Sequence, residues 1–265
     1  MHLRDDKFLV SCAARSGSTM LCSLIRSHPQ AICHGEVLAQ EGPPPLAGMY
    51  ERKRRDNPEF GSNVRRYRDR HPQRFLYDIV FNPQGRRCVG FKLKTDEAFQ
   101  SRFKAIREVI AADKDIKIIH LIRRNVLDQY VSHRVVEKTG LTLLRPTDNR
   151  PNVAPFTVDV EHFIAYVKDV NDRQQAAFDL YRDHRNLILA YEDIVAPQSS
   201  ALDDLEVFLG IANRPLSTKL VKIITNNSDM VLNLKEVQAA LASEFAQGGT
   251  SANNGENTEA LSLEA

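Results

Sequence analysis

Arg15-Ser16-Gly17-Ser18-Thr19 follows a short apolar run and precedes a stretch with helical spacing. A turn placed there offers successive backbone N–H groups at a helix N-terminus, where unpaired donors and the helix dipole favour an anion. The segment reads as a phosphate cradle, or more simply as a turn that needs Gly17. It departs from the common nucleotide loop GxxxxGK[ST], which sets a lysine after the second glycine and a hydroxyl for magnesium. No lysine follows Gly17, and the cation, Arg15, stands before it. ATP therefore fits poorly. A second set follows: the apolar run through Ile122 ends in Arg123 and Arg124, with Ser132 further on in a helical stretch. An arginine at the carboxyl end of a strand and a hydroxyl on the next helix suit a second phosphate.

These residues need rigid elements to position them. Compact apolar runs at 8–12, 88–93, 116–122 and 187–191 read as buried strands, and amphipathic stretches at 19–26, 97–112, 126–137 and 160–181 read as helices. The alternation predicts an α/β fold, a P-loop-like, doubly wound parallel β-sheet flanked by helices, in one domain over 1–246. The tail, 247–265, is rich in Gly, Asn, Ser, Thr and Glu, lacks aromatic residues and is expected to be disordered. The segment 139–157 carries Pro146, Pro151 and Pro155 and reads as a long irregular loop of the kind that forms active-site lids. From Arg52 to Arg74 arginine and lysine dominate. Such a run is either a solvated helical face or a rim for an anionic acceptor or a membrane surface. Lys92 and Lys94 fall on one face at the end of a strand, as surface residues or as cations near the site.

The pairing of motifs resembles the PAPS-dependent sulfotransferases, where PAPS is 3′-phosphoadenosine 5′-phosphosulfate. Ala14 to Thr19 is similar to their 5′-phosphosulfate loop, and Arg124-Asn125 through Val131-Ser132 to their 3′-phosphate motif. The resemblance implies that Arg15, Ser16, Gly17, Ser18 and Thr19 bind the 5′-phosphosulfate, and Arg124 and Ser132 the 3′-phosphate. Arginine at the first loop position is the form usual in carbohydrate sulfotransferases, and bacterial enzymes acting on glycolipids or nodulation oligosaccharides look nearest. Ser27-His28-Pro29 with Gly35-Glu36 resembles the segment that supplies the catalytic carboxylate in that group. Val89 to Leu93 resembles its central strand, and Asp229 through Leu234 to Val237 its C-terminal helix.

Glu36 is thus the expected general base, with His34 and His120 as rivals, and Arg15 the cation that either stabilises the leaving charge or only anchors the phosphate. Tyr191-Glu192-Asp193 is a common sulfotransferase signature; Tyr191 either touches the nucleotide or caps a turn. The chain lacks tryptophan and the C-terminal RKGxxGxWK segment of the phenol and steroid enzymes. Adenine therefore has to stack on another plane.

Composition limits the alternatives. With 265 residues and 42% hydrophobic content the chain can bury a large core. A net charge of only +2 argues against a nucleic-acid partner. Cys12, Cys22, Cys33 and Cys88 form no metal-ligand spacing, so no metal is expected and the thiols read as reduced apolar residues. The polar start, unlike a signal peptide, and the lack of a long apolar stretch lead to the expectation of a cytoplasmic enzyme. Its partners are then PAPS as donor, PAP as product, and a small-molecule, glycan or glycolipid acceptor. A P-loop nucleotide kinase or other phosphotransferase, and a non-catalytic nucleotide- or glycan-binding module, remain the rival readings. The sequence leaves acceptor and oligomeric state open.

Overall fold

A computed structural model describes residues 6–39, 42–224 and 228–248. All but the first two residues of the expected polar tail, 247–265, lie outside the described residues.

Five strands, β1 (Asp6–Cys12), β2 (Ala31–Glu36), β3 (Cys88–Lys94), β4 (Lys117–Ile122) and β5 (Asn186–Ala190), form one sheet in the order β2-β3-β1-β4-β5. All four pairings are parallel. The central strands are near-continuous apolar runs because helices cover both faces. Alternation divides their side chains: Leu9 joins Val89, Phe91 and Ile118 in one core, while Phe8, Val10 and Cys12 join Leu21, Ile25 and Ile119 in the other. The switch in strand order lies at the carboxyl end of β1, where open α/β sheets hold their ligands.

The intervening elements are α1 (Ser18–Ser27), α2 (Met49–Asp56), α3 (Phe60–Arg70), the single turn α4 (Pro72–Arg74), α5 (Thr95–Ala98), α6 (Lys104–Ala112), α7 (Val126–Thr139), α8 (Val160–Tyr181), α9 (Tyr191–Val195), α10 (Ala201–Leu209) and α11 (Leu234–Gly248). The described residues divide into two compact units. The first, the described residues within 6–122 and 173–218, contains the whole sheet and both cores named above. The second, the described residues within 123–172 and 219–248, has its own apolar cluster of Tyr130, Val131, Val135, Phe163, Val167 and Val237.

Several elements differ from the sequence reading. β2 is a strand that the sequence did not reveal, since Cys33-His34-Gly35-Glu36 breaks its apolar run. The helix expected over 97–112 is interrupted, with a 3₁₀ turn at Ser101–Phe103 between α5 and α6. Tyr191 opens α9 instead of closing β5. The stretch 140–157 forms no helix and joins its own unit by isolated bridges, Leu144 to Val221 and Phe156 to Val231. Among the described residues, no helix is long and apolar enough to cross a membrane.

Candidate functional site

The loop between β1 and α1 is tightly specified. Arg15 has φ 63° and Gly17 φ 88°, so two residues of five occupy the left-handed region. Arginine is unusual there, and such outliers gather at ligand clamps. The buried Ser16 hydroxyl donates to the Ala13 carbonyl at 2.9 Å, and the Gly17 carbonyl accepts from the Met20 and Leu21 amides at 3.0 and 3.1 Å. α1 thus starts at Ser18, and its first N–H groups lack intrahelical acceptors. A Cβ on Gly17 would lie 2.3 Å from Tyr191 Cδ2. The Tyr191 ring therefore packs on the loop, and glycine is required both by φ and by that contact.

Beside the loop, side chains from β2, β3 and α5 form a chain of alternating charge. Glu36 Oε1 is 2.7 Å from Lys92 Nζ and its Oε2 3.3 Å from Lys94 Nζ. Lys92 Nζ also donates to Thr19 Oγ1 at 3.1 Å, linking the carboxylate to the loop. Lys94 Nζ is 3.1 Å from Glu97 Oε1. The register explains the convergence. β3 pairs with β2 through Lys92 opposite Glu36, after a shift between His34 and Glu36 that turns this carboxylate toward β3. Lys92 and Lys94 alternate onto one face, as the period of the strand requires.

Burial pushes the Glu36 carboxyl up, but Lys92 and Lys94 outweigh it and hold its pKa below the ordinary value. Burial would lower Lys92, yet the neighbouring acidic groups Cys22, Cys12 and Glu36 keep it above the ordinary value. Lys94 is raised in the same way, burial being outweighed by Glu36, Glu97 and Asp96. Glu97 goes the other way: burial lifts its pKa more than Lys94 lowers it.

Neither histidine is placed as a base. The His34 ring accepts from the Ala47 amide through Nδ1 at 2.8 Å and has Nε2 3.0 Å from the Val80 carbonyl. Both nitrogens are thus engaged, and burial lowers the pKa to about 4. His120 has Nε2 3.1 Å from Asn186 Oδ1, lies with its ring 4.3 Å from and tilted to that of Phe178, and has its pKa lowered by burial to about 4. Each serves as a neutral core residue.

Arg15, Ser16, Gly17, Ser18, Thr19, Glu36 and Tyr191 thus meet within the first unit. Arg124 and Ser132 lie in the second. Arg124 is exposed just after β4, and Ser132 is half-buried in α7, whose first turn is capped by the Asn125 side chain accepting from the Asp128 amide at 2.8 Å. Arg123 pairs with Asp128 at 3.3 Å.

Sequence reasoning left Lys92 as one of two ambiguous lysines and gave Glu97 no role. The usable signal was alternation, which put Lys92 and Lys94 on one face. Nothing in the spacing indicated that Glu36 lies opposite them.

No protein-family model matches the chain. Nodulation protein H of Rhizobium tropici is 23% identical over 209 residues, 77% of this chain and 76% of that protein. The solved structure of a sulfotransferase from Alicyclobacillus acidocaldarius superposes with a TM-score of 0.51 at 16% identity, covering 92% of this chain and 94% of that one. Mouse sulfotransferase SULT7A1 complexed with PAP gives a TM-score of 0.38 at 15% identity over 97% of this chain and 70% of its own. The fold is similar to that of the Alicyclobacillus sulfotransferase.

Proposed function

We propose that this chain, similar in sequence to nodulation protein H and in fold to a bacterial sulfotransferase, transfers a sulfuryl group from PAPS to a hydroxyl acceptor, with Glu36 as general base. The observation that carries the reading is the salt-linked path from the loop to the carboxylate, Thr19 to Lys92 to Glu36, at 3.1 and 2.7 Å. A carboxylate and a cation beside a helix start would supply the base, the positive charge and the anion site that in-line transfer to an alcohol requires.

The residues present suit the donor. The glycine cradle, closed on one side by Tyr191, would hold the 5′-phosphosulfate on the amides from Ser16 to Thr19. Arg15 and Lys92 would balance the charge that gathers on the bridging oxygen as its bond to sulfur breaks. By their match to the 3′-phosphate motif, Arg124 and Ser132 take the 3′-phosphate. Glu36 accepts the acceptor's O–H proton while that oxygen bonds to sulfur and PAP departs with the electron pair of the broken S–O bond. The acceptor is a glycan, glycolipid or other small alcohol, and the enzyme works in the cytoplasm. The basic helices α2 and α3 supply a cationic face for an anionic acceptor or a membrane surface.

PAP should raise the unfolding temperature without magnesium, and ATP should not. A ligand at 100 times its dissociation constant adds about 2.7 kcal/mol. PAPS should then be converted to PAP in the presence of at least one member of a panel of glycans, glycolipids and small alcohols. Stabilisation by magnesium-ATP but not by PAP overturns the reading in favour of phosphoryl transfer.

A further inference from the structure

Glu97 has no part in the mechanism above, yet its side chain is only 8% exposed. One oxygen, Oε1, lies 3.1 Å from Lys94 Nζ; the other, Oε2, is buried with no hydrogen-bond partner. A buried carboxylate with an unmet acceptor costs stability, and an apolar side chain of similar size would avoid that cost. What the group provides is a second claim on Lys94, whose other carboxylate, Glu36, is slightly farther away at 3.3 Å.

We propose that Glu97 is a positioning residue for Glu36: by sharing Lys94 it draws that ammonium off the carboxylate and leaves Glu36 basic enough to take the acceptor's proton. The inference rests on the reading of Glu36 as the base. Glu36 is gripped at both oxygens, and a carboxylate clamped by two unshared ammonium groups is a poor base. Only one of its two clamps is shared with another carboxylate: Lys92 turns instead to the Thr19 hydroxyl. The charged groups facing Glu97 are Lys94 at the end of β3, Glu36 at the end of β2 and Asp96 on its own helix. Arg107 of α6 donates to the Ala98 carbonyl in the same turn at 2.8 Å. Around Glu36 stand Lys92 and Lys94, with the thiols of Cys12 and Cys22 at longer range. Removing the charge of Glu97 leaves Lys94 to Glu36 alone. The carboxylate is then stabilised further, its pKa falls, and its power to accept a proton falls with it.

The test is the titration of Glu36 in the full chain labelled with ¹³C-glutamate, its signal assigned by its disappearance in Glu36→Gln. Glu97→Gln should move that titration down by about one unit, leave the PAP-induced stabilisation unchanged, and slow PAPS turnover with the acceptor found in the panel. Glu97→Asp, which keeps the charge, should restore the titration toward the parent value. Lys94→Met should raise it, and in that background Glu97→Gln should lower it clearly less, only the direct repulsion between the two carboxylates remaining. An unmoved Glu36 titration in Glu97→Gln, or an equal downward shift with Lys94 already gone, overturns the proposal. If instead Glu36→Gln turns over normally, the base assignment fails while the sharing of Lys94 is still decided by the titrations.

Discussion

Two charge-rich regions of the first unit make opposite use of their charges. On α2 and α3, Arg52, Lys53, Arg54, Arg55, Arg65, Arg66 and Arg70 are exposed, and water screens them from each other and from the fold. Where β2, β3 and α5 meet, four charged side chains alternate in sign at 2.7 to 3.3 Å, and the Lys92 side chain is only 6% exposed. Low local dielectric makes each of these groups sensitive to its neighbours, so a change in one alters the proton affinity of the next. Density of charge is thus no guide to chemistry; burial is. One residue crosses between the regions. Arg68, in the middle of the basic run, is buried, donating from Nη1 to the carbonyls of Val37 at 2.9 Å and Ala39 at 3.1 Å and from Nε to Asp69. It ties α3 to the turn directly after Glu36.

The sharpest break in this comparison is Glu36→Gln, which should retain PAP-induced stabilisation while PAPS turnover falls by about 10²- to 10⁴-fold, the range for loss of a positioned base. Normal turnover in that variant would remove the chemical role from the buried cluster. Next in size, Arg124→Ala should weaken PAP about 10- to 150-fold, from a charge-assisted contact of about 1.5–3 kcal/mol. Affinity for adenosine 5′-phosphosulfate, which lacks the 3′-phosphate, should hardly change. Equal losses for both ligands would count against the 3′-phosphate assignment.

Within the basic run itself, Arg68→Ala should cost about 1.5–3 kcal/mol of stability in urea titrations, whereas Arg54→Ala or Arg65→Ala should stay within about 0.5 kcal/mol. Similar costs at all three positions would mean that burial does not divide the run.

The smallest effect is a pH slope. His34 and His120, held near pKa 4 by burial, bind fewer protons in the folded chain than in the unfolded one between about pH 4 and their ordinary 6.5. Stability is therefore fully present above that range and is lost as the pH falls through it. His120→Asn should flatten the dependence of the urea midpoint on pH over this window; an unchanged slope would show that His120 is not a buried neutral group.

The elements that were legible in the sequence are those whose signal is local. β1, β3 and β4 are near-continuous apolar runs, and the helices after β1 and β4 carry helical periodicity, so order and type followed from spacing alone. The segment 15–19 announced itself by glycine and hydroxyls between a strand and a helix. β2 was hidden because its last residues, His34, Gly35 and Glu36, are polar or small; they become a strand only by pairing with β3. The split of 97–112 was equally hidden, since periodicity does not report where a helix must turn.

The sequence by itself determined the parallel α/β fold and marked the candidate anion loop, because each depends on residue type within a few positions, whereas the candidacy of Glu36 came from the resemblance of its segment to a known family. Tertiary structure alone decided that Tyr191 closes over Gly17, that His34 is locked between a carbonyl and an amide, and that Glu36 sits between Lys92 and Lys94. Those outcomes depend on strand register and on residues 13 to 174 positions apart in the chain being brought within hydrogen-bonding or van der Waals reach, roughly the range in which charge and shape act on one another. Proton affinity is fixed by burial and by the nearest charges, and neither is defined until the sheet has formed.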